Sequence, residues 1–125
     1  MLLHTDSDIP LFVQLSEGIE DAILSGAFPE ESQIPSITEF SATCQINPAT
    51  ALKGINLLVE ENVLYKKRGV GMFVRAGATE KLQKKRRQNF CRDYADAMIT
   101  EAKRLHIKKE ELLILIERRF DDERN

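Results

Sequence analysis

The stretch SITEFSATCQINPATALKGINLLVEE, residues 36–61, decides how the chain folds. Ser36 and Glu39 have the spacing of a capping box, in which a serine hydroxyl and a glutamate carboxylate satisfy each other's backbone N–H groups. A short helix therefore opens at Ser36 and runs to about Thr43. Asn47 followed by Pro48 starts a second one, because asparagine accepts from unpaired N–H groups and proline at the first helical position loses no hydrogen bond. Ala51, Ile55, Leu58 and Val59 then make one apolar stripe that carries this helix to about Glu61. Only about three residues, Cys44 to Ile46, separate the pair, and a junction that tight predicts a helix-turn-helix. Across from the stripe stand Ala49, Thr50 and Lys53, small or polar and near the helix start, where they can approach a base edge or a phosphate.

Outward toward the N-terminus, Leu11, Leu15, Ile19, Ala22 and Ile23 recur at helical spacing after Pro10, with Glu17, Glu20 and Asp21 on the other side. Gly26 stops that helix, and Pro29 and Pro35 bracket a polar connector. Toward the C-terminus, Val63 to Lys67 and Met72 to Arg75 read as two short strands around the turn Arg68-Gly69-Val70-Gly71. The hairpin has a basic tip, and its glycines allow close approach to another surface. After the connector Ala76-Gly77-Ala78, Thr79 is expected to cap a long helix ending near His106, with an apolar seam of Phe90, Tyr94, Met98, Ala102 and Leu105. A last helix restarts at Ile107 to Glu111 and carries Leu112, Leu113, Leu115, Ile116 and Phe120. So much apolar surface with so little chain left to cover it calls for a second copy of the chain.

The fold class expected is mainly α with a small β-hairpin: a winged helix-turn-helix over residues 1–75 and a two-helix dimerisation arm over residues 76–125. With 125 residues and 42% hydrophobic composition, a packed core is within reach. No apolar run has the roughly 18 residues of a membrane helix, and Met1 to Pro10 lacks the pattern of a signal peptide, so no membrane and a cytoplasmic location are expected. Cys44 and Cys91 stand far apart without metal-ligand spacing, and His4 and His106 are isolated, so neither a metal nor a cofactor is expected. The carboxylates Glu110, Glu111, Asp121, Asp122 and Glu123 read as helix-start and tail charges, and no nucleophile, base and oxyanion-donor set can be assembled. An enzyme is therefore not expected.

The formal net charge of −2 does not itself point to nucleic acid, so the distribution has to be read. Residues 1–75 hold five basic against ten acidic side chains, but seven of those acids lie at or before Glu31 and every basic residue lies at or after Lys53. A local positive face therefore survives at Lys66, Lys67 and Arg68. The run Lys84-Lys85-Arg86-Arg87 reads as the solvated face of a long helix and stays outside the site.

Five stretches, in order, carry a family likeness: Pro10-Leu11-Phe12-Val13-Gln14, Ile23-Leu24-Ser25-Gly26, Ile34-Pro35-Ser36-Ile37, Asn47-Pro48-Ala49-Thr50 and Arg68-Gly69-Val70-Gly71-Met72-Phe73-Val74. Pro10 to Val74 resembles the winged-helix domain of GntR-type bacterial transcription regulators, and the short helical tail is similar to that of their YtrA subfamily. The resemblance implies a homodimer on an inverted-repeat DNA operator, its third helix in the major groove and its wing on the neighbouring backbone or minor groove. It implies DNA contacts from Ser36, Thr38, Asn47, Ala49, Thr50, Lys53, Lys66, Lys67, Arg68, Gly69 and Gly71, and dimer contacts from Phe90, Tyr94, Met98, Leu105, Leu112, Leu115, Ile116 and Phe120. It further implies repression of the regulator's own operon together with ATP-binding-cassette (ABC) transporter genes, with any small effector of unknown chemistry.

Three departures are visible. Thr38 stands where the family usually has arginine, Ala51-Leu52-Lys53-Gly54 replaces a more polar run, and Asn62 replaces a glycine whose left-handed conformation asparagine tolerates. The first two leave a second class open, a winged-helix protein-interaction module without operator binding.

Overall fold

In the computed structural model, residues 1–122 are described, and the tail charge Glu123 lies outside them. The chain divides into two compact units, Met1–Lys84 and Lys85–Asn125. The first begins with α1 (Leu11–Ser25), which buries Leu15, Ile19 and Ile23 at the four-residue spacing of one helix face and ends on left-handed Gly26. Then come α2 (Ile37–Cys44) and α3 (Pro48–Glu60), followed by the antiparallel strands β1 (Leu64–Lys67) and β2 (Gly71–Val74).

The local signals act as read. Ser36 Oγ accepts from the Glu39 N–H at 3.1 Å, while the Ser36 N–H donates to Glu39 Oε1 at 3.1 Å. Asn47 Oδ1 accepts from the Ala49 N–H at 2.8 Å. Asn62 is left-handed (φ 60°); its N–H donates to Val59 O and that of Val63 to Leu58 O, closing the last turn of α3 as a glycine would. Gln45 (φ 54°) does the same for α2, so the helix-turn-helix pivots on a left-handed residue that is not glycine.

The core of this unit gathers Leu15, Ile19 and Ile23 of α1, Phe40 of α2, Ala51, Ile55 and Leu58 of α3, and Leu64, Met72 and Val74 of the hairpin. It also takes in Ala78 and Leu82, both fully buried, from the first two turns of α4 (Ala78–Phe90). At about 1.5–3 kcal/mol per fully buried large aliphatic side chain, this cluster is the main stabilising element of the unit.

Two features differ from expectation. Helix α4 starts at Ala78, and its free N–H groups are taken by Glu30, not by Thr79: the Glu30 carboxylate accepts from Gly77 N at 2.7 Å and Thr79 N at 3.0 Å. Those bonds to the charged form hold the Glu30 carboxyl below its ordinary pKa of 4.5. Its neighbour Glu31 accepts from Ala76 N at 3.0 Å and from the Tyr65 hydroxyl at 2.9 Å. The hairpin also has a third partner, because Gln33 bridges to Phe73 and the Ile34 N–H donates to Met72 O.

The predicted long helix, which begins in the first unit and continues into the second, is three segments in sequence. After α4, residues Cys91–Ala95 form a π-helical turn, and α5 (Asp96–Arg104) follows. His106 (φ 58°) closes α5, its N–H bonding to Lys103 O and that of Ile107 to Ala102 O. Finally α6 (Lys109–Phe120) begins with the Lys108 N–H on Glu111 Oε1 at 3.3 Å.

Candidate nucleic-acid interface

Helix α3 presents Ala49, Leu52, Lys53 and Asn56 to solvent, residues that share a face by their spacing of three and four, with Thr50 half-buried beside them. On this face the sequence marks Leu52 only as a departure from the family's polar run, and it does not mark Asn56 and Glu60. Counting three and four onward from Ala49 is the signal that finds them. Together with Ala49, Lys53 and Leu57 they line a shallow groove of about 320 Å³. The Lys53 ammonium sits 4.1 Å from the centroid of the Phe12 ring of α1, within cation–π range. Gly54 makes that proximity attainable: a Cβ there would lie 2.7 Å from the Phe12 carbonyl oxygen, so only glycine lets α1 and α3 approach so closely.

At the start of α2 the capping box uses the N–H groups of Ser36 and Glu39, and it sets the Glu39 carboxylate against the helix N-terminus. Of the donors in that turn, those of Ile37 and exposed Thr38 remain for an outside acceptor. Asn47 spends its side-chain oxygen on the α3 cap.

On the wing, strand alternation separates the two lysines. Lys66 pairs with buried Met72, on the sheet face that carries Leu64 and Val74, whereas Lys67 lies with Tyr65 and Phe73 on the other face. There Tyr65 and Phe73 stack with centroids 5.8 Å apart, Lys67 Nζ lies 4.2 Å over Phe73, and the Arg75 guanidinium lies 5.4 Å over Tyr65. The bond from Tyr65 to Glu31 raises the phenol above its ordinary pKa, since it favours the protonated form. Arg68 is exposed at the tip.

The two wing glycines have different reasons to be there. Gly69 (φ 76°) has open space where a Cβ would be, so the tip is free to approach another surface. Gly71 (φ 146°) is pressed by the Gln33 amide, 2.5 Å from a Cβ position, and that amide donates to Val70 O at 2.9 Å. At this second position it is the positive φ that calls for glycine. Elsewhere in this unit an open cavity of about 870 Å³ lies between the N-terminal residues and helices α1 and α2, with Gln14 holding the segment through bonds to His4 and Ile9.

Of the residues predicted for the dimer, Phe90, Tyr94, Met98, Leu105, Leu115, Ile116 and Phe120 are exposed and Leu112 is half-buried. Phe120 is 87% exposed, and Ile99, Leu113 and Ile114 add exposed aliphatic surface beside the residues expected at the dimer contact. Among the described residues no group of three or more His, Cys, Asp or Glu could hold a metal, and no helix is long and apolar enough to cross a membrane.

A helix-turn-helix with a glycine-tipped hairpin behind it defines the winged-helix class. A GntR-family regulator from Bacteroides thetaiotaomicron superposes with a TM-score of 0.75 at 28% identity, over 87% of this chain and 95% of that one. The chain carries the winged-helix fold seen in GntR-type transcription regulators. The DNA-binding domain of AraR, solved in complex with an operator, matches at TM-score 0.55 and 28% identity over 59% of this chain and 94% of that one. YtrA from Sulfolobus acidocaldarius aligns over 98% of both chains at TM-score 0.56 and 20% identity, a likeness of fold alone. By sequence, 75 residues are 32% identical to the HTH-type transcriptional regulator YurK of Bacillus subtilis; they make up 60% of this chain but 31% of that protein. The chain thus spans about a third of the length of the curated relatives it matches. No protein-family model matches it.

Proposed function

We propose that the chain is a sequence-specific DNA-binding transcription regulator acting as a homodimer on an inverted-repeat operator, with half-sites about one helical turn, or roughly 34 Å, apart. The observation that carries this reading is the exposed face of α3 beside an open, cationic wing tip on one compact unit. In it, Thr38, Ala49, Thr50 and Lys53 meet base edges or phosphates, while Lys66, Lys67, Arg68 and Gly69 follow the backbone. Ser36, Asn47 and Gly71 act one step back, holding the two helix starts and the wing in shape.

Dimerisation through Phe90, Tyr94, Met98, Leu105, Leu112, Leu115, Ile116 and Phe120 is supported by the exposure of all of them but half-buried Leu112 on an arm with little core of its own. The short helical arm supports a YtrA-like regulator, and with it repression of its own operon and of ABC-transporter genes. A small effector would enter at the dimer contact or at the open cavity beside α1.

The test is a titration of upstream DNA fragments at several salt concentrations. Binding must weaken steeply with salt, and Lys67→Ala must lower affinity for all sequences about equally while reducing the salt slope by about one. One feature favours the second reading, a protein-interaction module: the Glu39 carboxylate occupies a helix start where a phosphate would otherwise dock. No salt-dependent DNA binding would decide for it.

A further inference from the structure

The exposed face of α3 contains one residue for which neither the core nor the backbone has a use. Ile55 and Leu58 are 1% and 0% exposed, and Leu57 and Val59 are half-buried, but Leu52 keeps 43% of its surface in water. Its neighbours on that face are Ala49, three residues before it, and Asn56, four after it. Lys53 follows it in sequence, with its ammonium held at the Phe12 ring on α1. Ala49 and Leu52 therefore offer adjacent methyl groups in the shallow groove along the helix. From Ala49 to Asn56 the helix advances about 10 Å at 1.5 Å per residue. That is close to three base-pair rises of roughly 3.4 Å each.

The edges of the four base pairs in the major groove are polar with one exception, the C5-methyl group of thymine. We infer that Leu52, flanked by Ala49, is a specificity-determining residue that selects thymine by burying its methyl group, so that each operator half-site carries an A·T pair beneath the middle of α3. The inference rests on the DNA-binding reading above and adds the base that this helix position selects. Polar or charged side chains at position 52 would instead favour guanine or adenine edges.

The test begins with the full chain and a random pool of duplexes, from which preferred sites are selected at fixed salt. Each thymine of the selected site is then replaced in turn by deoxyuridine, which removes only the methyl group. One or two positions per half-site should lose about fourfold in affinity, the equivalent of one methylene removed from a buried contact at about 0.8 kcal/mol. With Leu52→Ala, the thymine and deoxyuridine duplexes should bind alike at that position, with an unchanged salt slope because no charge is lost. Leu52→Asn, which keeps the length and branching of the side chain, should shift the selected base. Indifference of the unmodified protein to every deoxyuridine replacement would overturn the assignment without any variant, and so would methyl sensitivity that survives Leu52→Ala. Failure to enrich any duplex would instead strike the DNA-binding reading itself, and the assignment with it.

Discussion

Two glycines in helix interiors should respond in opposite directions to the same added methyl group. Gly18 lies in α1 and Gly54 in α3, and each forgoes about 1 kcal/mol of helix propensity relative to alanine. At Gly18 a Cβ would meet the Met1 sulfur at 2.6 Å, the far end of a flexible, unbranched side chain that can swing aside. Gly18→Ala should therefore stabilise the protein by about 0.5–1 kcal/mol. At Gly54 the Cβ would meet the Phe12 carbonyl oxygen at 2.7 Å and Leu15 Cδ2 at 3.3 Å. A carbonyl inside a helix cannot move alone, so α1 as a whole must shift. Overpacking of this kind costs roughly 1–3 kcal/mol, which outweighs the propensity gain and leaves a net loss of about 1 kcal/mol. For a unit of Met1–Lys84, 1 kcal/mol corresponds to roughly 4–8 °C in melting temperature. Urea denaturation followed by far-UV circular dichroism reads both variants, with a shifted midpoint and an unchanged slope as the expected signature. If Gly54→Ala stabilises the protein as much as Gly18→Ala does, the close contact between α1 and α3 is not what the glycine provides.

The Glu30 carboxylate has a lowered pKa because it accepts from the first N–H groups of α4, so its contribution to stability is complete above about pH 4.5 and is lost as pH falls through the depressed folded value. The stability gap between the unmodified protein and Glu30→Gln should thus be constant near neutrality and close in acid; a gap that widens below pH 4.5 would contradict the capping role. On α6, Leu115 is 49% exposed, and Leu115→Asp should convert the proposed dimer to monomer by placing a charge in its apolar contact, as read by sedimentation velocity. Unchanged sedimentation would remove α6 from the assembly.

What could be read from the sequence was what neighbours in the chain write into it. The Ser36 and Glu39 box, the Asn47 cap ahead of Pro48 and the left-handed Asn62 each act within a few residues, and each behaves in the structure as its spacing predicts. The contacts that were not legible join distant parts of the chain. Glu30 reaches Gly77 and Thr79, Glu31 reaches Tyr65 and Ala76, and Gln33 reaches Val70, all more than thirty residues away. Nothing periodic marks such pairs, which is why Thr79 looked like the cap of its own helix.

At the candidate site, the elements and the basic wing were legible, and alternation along the strand already sets Lys66 and Lys67 on opposite faces; that Lys67 shares its face with the stacked Tyr65 and Phe73 needed the pairing of the two strands. Lys53 is exposed on α3, but the sequence does not show the ring over which its ammonium rests. The ring beneath it comes from Phe12, forty-one residues earlier in the chain.

The π-turn at Cys91–Ala95 bears on how the arm keeps its apolar groups aligned. Phe90, Tyr94, Met98 and Ala102 follow one another every fourth residue, and in an ideal α-helix of 3.6 residues per turn each such step drifts by about 40°. A wider turn takes up part of that drift, so the row runs straighter than the spacing alone allows. Deleting a single residue from the ordinary helix beyond it, such as Ile99 in α5, where no wider turn can give up a residue, would swing everything after it about 100° around the axis. The arm would still be helical, but its two halves would face different ways, and length at this point is therefore as much a constraint on pairing as the identity of any side chain.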